Sequence, residues 1–394
     1  MSELVRKDSG VASARVPGEG AGVPSVIVAA LLGEYSLLIM PFIVTAMMQG
    51  YALEEVAAGN LVSIQLGAMG VAGIAVSYLL ARIPAHRIVV VAAVAISIAN
   101  AWCALGSGWT GLTCARILTG LGEGSLMAAA GAMAAGVRNP HRLFSILGFV
   151  IAAVAAAALL LTPVLFDLFG VRGVFWLLAA SPIAILLAAP WLPRSKARAR
   201  DVPRLGAFTV GGARAVLSAF ALLWIGASAL WVFAERIGTT QGLSLTEVGR
   251  YLAIGQVAGL AGPLLADRCG ERIGLQRSLA LGSLAMAAGG LWMVFGQTHI
   301  SYIGGVCLLS AAVMFLAPCF RSLMARLDAS GAVVAMSVAF YTFGFGLAPL
   351  LVGWLEAAGG SYGSVAWLAA LAFIASGALG LSVKPSGNNT VAAS

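Results

Sequence analysis

The stretch CARILTGLGEGSLMAAAGAMAAG, residues 114–136, places Arg116 and Glu123 in a run of Ala, Gly, Leu, Ile and Met with no turn signal on either side. Two ionisable groups inside so apolar a segment need an account of the solvent around it. The chain has 394 residues, of which 60% are hydrophobic and 10% charged. A soluble domain carries about 25% charged residues, so there is too little polar surface here to face water on all sides. The composition is that of an all-α integral membrane protein. A helix needs ~20 apolar residues to cross a hydrocarbon core, and twelve such runs fall at 24–48, 56–80, 87–106, 109–135, 142–165, 171–192, 213–237, 246–266, 273–296, 299–322, 331–356 and 362–383.

The net charge of +8 belongs to short connections between these runs and not to a nucleic-acid-binding face. With the N-terminus inside, only Arg172, Arg236 and Arg250 fall on outer segments and Arg116 lies within the membrane, while the remaining Lys and Arg fall inside. That bias predicts both termini in the cytoplasm and a multi-pass protein of the cell (inner or plasma) membrane. The one long polar connection, RSKARARDVPRLGAFTVGGAR (194–214), follows the sixth run. The expected organisation is a cytoplasmic tail at 1–23, a six-helix bundle at 24–193, a basic linker at 194–212, a second bundle at 213–384 and a tail at 385–394. The five cysteines show no C-x-x-C spacing, and His86, His141 and His299 fall at predicted loops, so no metal set and no cofactor is expected.

Shifted by 186 residues, VAGIAVSYLLARIPAHR (71–87) falls on VAGLAGPLLADRCGERI (257–273), with Gly73 on Gly259 and Arg82 on Arg268. Two similar halves suit a rocking carrier with its site at their interface. GPLLADRCGER (262–272) resembles the loop motif between the second and third helices of a half in the major facilitator superfamily (MFS), with Asp267, Arg268, Gly270 and Arg272 in the matching places. In the first half Ala81 stands for the acid and Pro84 for the glycine. RILTGLGEG (116–124) resembles that family's fourth-helix motif, and its Arg-x3-Gly-x2-Glu form is similar to the organic-anion/proton symporters and the spinster-like lipid transporters. The chain departs from those branches in having no proline after Glu123 and no acid–arginine pair in the first helix. GFVIAAVAAAALLLTP in the fifth helix has no Gly-Pro motif of the drug/proton antiporters. The resemblance implies twelve transmembrane helices in two pseudo-symmetric halves and a secondary transporter working by alternating access.

Arg116 and Glu123 are seven residues apart, ~10 Å along one helix face. Gly120 lies between them and is expected to leave room for an approaching group. A charge at mid-bilayer costs at least ~2.5–3.5 kcal/mol, so both should face the bundle interior or a wet cavity. Glu34 lies ~15 Å into the first helix, a depth close to that of Glu123. Glu34, Glu123 and Arg116 are therefore the expected proton-coupling residues, the alternative being a buried Arg–Glu brace. In the seventh helix Trp224, Ser228, Trp231 and Glu235 share a face, which the family resemblance would turn to the cavity. The alternative is an interfacial anchor for Trp231 and a solvated Glu235. Tyr35 and Gln256 join that stripe as expected substrate contacts, and Asp267, Arg268, Gly270 and Arg272 form the expected cytoplasmic gate.

The expected partners are a small organic substrate, protons and lipid, with no nucleic acid and with the monomer as the working unit. No G-x-x-x-x-G-K-[ST] stretch is present to cradle phosphates, which argues against ATP drive within this chain. A membrane-embedded enzyme is the distant alternative, but the predicted spans offer no histidine for a nucleophile–base or metal constellation. Proton-driven efflux of drugs or lipophilic or cationic compounds, or carriage of a lipid-like molecule, stands as the other transport reading.

Overall fold

The computed structural model of the chain describes residues 22–106, 108–135, 140–192, 208, 210–328 and 331–383. The predicted tail at 385–394, and nearly all of the tail at 1–23 and the linker at 194–212, lie outside the described residues. Every regular element among them is helical: α1 (Gly22–Leu38), α2 (Met40–Tyr51), α3 (Glu55–Leu79), α4 (Ala85–Leu105), α5 (Trp109–Ala135), α6 (Pro140–Phe169), α7 (Gly173–Ala180), α8 (Ile183–Ala188), α9 (Ala213–Val232), α10 (Ala234–Thr240), α11 (Leu245–Gly259), α12 (Ala261–Arg272), α13 (Leu275–Phe295), α14 (His299–Leu327), α15 (Ala332–Ala357) and α16 (Tyr362–Ser382). Ten segments are long and apolar enough to cross a bilayer, and α1 with α2 makes an eleventh if that bent pair is one span. The run predicted at 246–266 falls on α11 and α12, of 15 and 12 residues, so the eighth predicted span is two shorter helices.

The breaks have sequence causes. Proline has no N–H, so it cannot donate to the carbonyl four residues back and it crowds that turn. Pro41 is in the first turn of α2, and α1 and α2 meet at Ile39 with a bend of 53°. The first predicted span is thus not one straight helix. Pro263 sits two residues into α12 and leaves the Gly259 carbonyl without its helical donor, which is where α11 ends. The seventh span likewise breaks at Phe233, between α9 and α10. Where a helix starts in open surface the chain caps it: the Ser244 hydroxyl accepts from the Glu247 N–H, and the Glu247 carboxylate accepts from the Ser244 N–H at 2.9 Å.

Helices run alternately between two ends of the molecule. One end, here the terminal end, holds the start of α1 and the end of α16; the far end holds the α2–α3, α10–α11 and α15–α16 connections. Within the first set of helices (α1–α8), α5 packs on α1, α3 and α4; within the second (α9–α16), α9 packs on α15 and α16, and α13 on α14 and α16. The sets meet through α3 on α15, α6 on α11, and α2 on α9 and α10. One hydrophobic core runs across both sets and includes Phe42, Leu61 and Phe175 with Phe220, Phe233 and Val352. A second core, with Val26, Leu80, Val89, Leu126 and Ile185, belongs to the first set alone and lies toward the terminal end.

Candidate functional site

Arg116 and Glu123 are both buried, at 0% and 2% exposure. They do not touch each other. Gln65 of α3 stands between them: its Nε2 donates to Glu123 Oε2 at 2.9 Å and its Oε1 accepts from an Arg116 amino group at 3.3 Å. The same Nε2 reaches Ser36 Oγ of α1 at 3.1 Å, and Ser36 is hydrogen bonded to Glu123 in turn. On its other side Arg116 donates to Asn100 Oδ1 at 2.6 Å and to Cys103 Sγ at 3.2 Å. Asn100 is held for this by its own Nδ2, which donates to the Ile96 carbonyl one turn back at 2.9 Å. The Arg116 guanidinium lies 5.2 Å from the Phe175 ring centre, a stacking contact that suits arginine and not lysine. Arg116 Nε alone has no partner among the described residues. The array is therefore a relayed chain, Arg116–Gln65–Glu123, with five helices of the first set contributing to it.

Gly120 does not leave open room. A Cβ there would run into the Gln65 carbonyl and the Ala68 side chain, and one on Gly124 into the Met69 carbonyl. The glycines let α3 lie directly on α5, which is what brings Gln65 to the level of both charges. The depth expected for Glu34 matches that of Glu123, because a Cβ on the preceding Gly33 would lie 3.3 Å from the Glu123 carbonyl. Glu34 itself is half-buried, as is Tyr35. It lies within electrostatic reach of Arg321 on α14, as does the hydroxyl of Tyr341 on α15. Arg321 is exposed, six residues before the end of α14.

The helix-seven stripe splits among different tasks. Trp224 packs edge-on against Tyr341 at 4.5 Å between ring centres and also touches Phe220 and Phe345; its Nε1 is buried with no partner among the described residues. Ser228 is fully buried and donates to the Phe345 carbonyl at 2.7 Å. That carbonyl lies four residues before Pro349, inside α15, and so lacks its helical donor. Trp231 Nε1 donates at 2.9 Å to the Leu37 carbonyl of α1, which is likewise released by Pro41. Two stripe residues thus complete helix backbones broken by proline. Glu235 is 1% exposed, where a solvated residue was the alternative expectation, and its carboxylate accepts from Thr45 of α2. Gln256 is half-buried on α11.

Arg268 and Arg272 are exposed, in the last two turns of α12. The helix continues through the stretch read as a loop and includes Gly270; the side chain of Asp267 lies outside the described ones. His86 and His299 occupy first turns of helices and not loops. No group of three metal-ligating side chains gathers among the described residues. Four partners escaped the reading of the sequence. Gln65 and Asn100 carry a signal, as polar side chains inside apolar runs, whereas Ser36 carries none and Arg321 counts as one more basic residue near a helix end.

Long apolar helices, bent or broken at prolines and packed in two sets around buried charges, are the architecture of a multi-pass membrane protein. The model of the Major Facilitator Superfamily matches residues 25–329, and the chain belongs to that family. Among solved structures it resembles the nucleoside transporter NupG, with a TM-score of 0.74 at 11% identity over 91% of this chain and 99% of that one. It also resembles a D-xylose–proton symporter, with a TM-score of 0.72 at 17% identity over 91% of this chain and 96% of that one. No curated protein sequence matches the chain.

Proposed function

We propose that the chain carries a small organic solute across the cytoplasmic membrane by proton-coupled alternating access, with both termini in the cytoplasm. The observation that supports this best is the dry Arg116–Gln65–Glu123 relay. A carboxylate kept dry must be protonated, paired or wetted at each stage of a cycle, and among the described residues Glu123 has only neutral partners in direct contact. The half-buried Glu34, at the same depth, is the second proton carrier and the one nearer the solute. Arg116 fixes the relay and biases it through Gln65. The bundles 24–193 and 213–384 act as the two rocking bodies.

The solute meets α1, α9, α14 and α15. Arg116 commits its two amino groups to Asn100, Gln65 and Cys103 and its face to Phe175, and its remaining Nε is buried, so we assign the solute contact to another cation. Arg321 is exposed and within electrostatic reach of Glu34 and Tyr341, and Tyr341 packs on Trp224, whose Nε1 has no partner among the described residues. The solute class that fits is a molecule with an anionic group for Arg321 and an apolar or ring-shaped body for Trp224 and Tyr341. The test is a proteoliposome screen of labelled organic anions, neutral sugars and organic cations under an imposed pH gradient. Accumulation of an anion that fails in Arg321→Gln supports the reading; accumulation of cations alone, unaffected by Arg321→Gln, rejects the solute assignment. Proton-driven accumulation retained by the Glu34→Gln/Glu123→Gln double variant rejects the coupling assignment.

A further inference from the structure

A second charged cluster lies at the far end, outside the relay. Arg236 of α10 pairs with Glu55 Oε1 of α3 at 3.2 Å, and the Tyr362 hydroxyl of α16 donates to the same oxygen at 2.7 Å. Glu356 of α15 completes it, its carboxyl group within hydrogen-bonding reach of that of Glu55. Two carboxyl groups form a hydrogen bond with each other only when one of them holds a proton. Four helices converge here, and Glu55 is the only one of the four groups from the first set. The cluster is not sealed: the Arg236 and Glu55 side chains are 29% and 20% exposed, so protons from water reach it. Among the described residues, the charged and titratable groups facing Glu55 and Glu356 are Arg236, Tyr362 and, one residue along α10, Glu235.

We propose that Glu55, Glu356, Arg236 and Tyr362 form a proton-binding latch, in which one proton shared by the two carboxyl groups ties the first helix set to the second at the far end. With that proton in place Arg236 balances a single carboxylate. When the O–H···O bond between the carboxyls breaks and the proton leaves to water, two anions face one guanidinium beside Glu235, and like charges at this range repel. The separation then exposes both carboxylates to water, which favours the open far end. Closure therefore binds a proton that opening releases, and closure is favoured as pH falls. The latch rests on the reading of the chain as an alternating-access carrier, but not on Glu34 or Glu123 as coupling residues.

The experiment measures a distance and needs no substrate. Spin labels go on Glu54→Cys and Ala358→Cys, both exposed at the far end, in full-length protein in lipid nanodiscs with Cys114, Cys269 and Cys307 replaced by serine and the buried Cys103 and Cys319 kept. Electron–electron distance measurements from about pH 5 to about pH 9 should show the ratio of short to long distances falling by up to about tenfold per pH unit, the steepness of one linked proton. Glu356→Gln, whose amide donates to Glu55 without a titrating proton, should hold the short distance throughout. Tyr362→Phe, which keeps the carboxyl pair, should retain the steepness with a displaced midpoint. A flat titration in the parent protein, or a parent-like titration in Glu356→Gln, overturns the latch. Either result leaves the coupling role of Glu123 standing, and loss of coupling in Glu123→Gln leaves the distance titration unchanged.

Discussion

The two charged clusters differ in what they connect. The Arg116–Gln65–Glu123 relay is dry and is built within the first helix set, so its bonds survive any movement of that set as a body. The Glu55–Arg236–Glu356–Tyr362 cluster is partly wet and joins the two sets, so its bonds must break whenever the far end opens. Burial and location thus separate a group that holds a charge through a cycle from one that registers the position of the halves. Polar side chains in a membrane protein are informative less by their number than by whether their partners move with them.

The largest effect should come from disrupting the relay itself. Gly120→Ala forces a Cβ against the Gln65 backbone, so little folded protein should be recovered on size exclusion. Gly67→Ala, with nothing within 4 Å of the added carbon, should behave like the parent. Arg116→Ala strands Asn100 and Gln65 oxygens and deprives the buried Glu123 of its nearest countercharge, a loss on the order of 3 kcal/mol, seen as a lower thermal midpoint in detergent and as abolished transport. Glu123→Gln keeps the hydrogen-bond geometry and removes the titrating group. Counterflow without a gradient should persist while pH-driven accumulation fails, and accumulation at the parent level would assign Glu123 to the brace alone.

Smaller effects should follow from the bonds of α9. Trp231→Phe removes the donor to the Leu37 carbonyl, an unsatisfied acceptor worth about 1–3 kcal/mol. Pro41→Ala supplies a backbone N–H for that carbonyl, so the double variant should regain much of the lost thermal midpoint, whereas simply additive losses would show that Trp231 acts by packing. Ser228→Ala should cost least, about 1 kcal/mol, because its bond to Phe345 lies within one set and leaves the junction between sets intact.

Much of this fold is legible in local sequence. Apolar runs and breaks give the helices, the paired stretches at 71–87 and 257–273 give two similar halves, the motifs at 262–272 and 116–124 point to the family, and Arg116 and Glu123 announce themselves by their cost in an apolar helix. The interior of the site is less legible, because hydrogen-bond partners need no sequence spacing. Gln65 lies 58 residues from Glu123 and Tyr362 lies 307 from Glu55, and each looks ordinary in its own helix. Arg321 resembles an orientation signal because it is a basic residue near a helix end; its electrostatic reach to Glu34 and Tyr341 distinguishes it. Pro163, Pro318 and Pro349 lie inside α6, α14 and α15 without ending them, whereas the 53° bend at Ile39 lies beside Pro41 in a stretch apolar enough to pass for one helix.

The bond from Trp231 to the Leu37 carbonyl also bears on how the protein is made. Donor and acceptor are 194 residues apart, so at ~5–20 residues per second the ribosome adds the tryptophan roughly 10–40 s after the leucine. Through that interval the bent first helix holds a free backbone acceptor and a carboxyl group at Glu34, both poorly suited to hydrocarbon. It must wait against the insertion machinery, water or early neighbours until α9 arrives. The backbone of α1 is thus completed only once the second set of helices has begun to emerge.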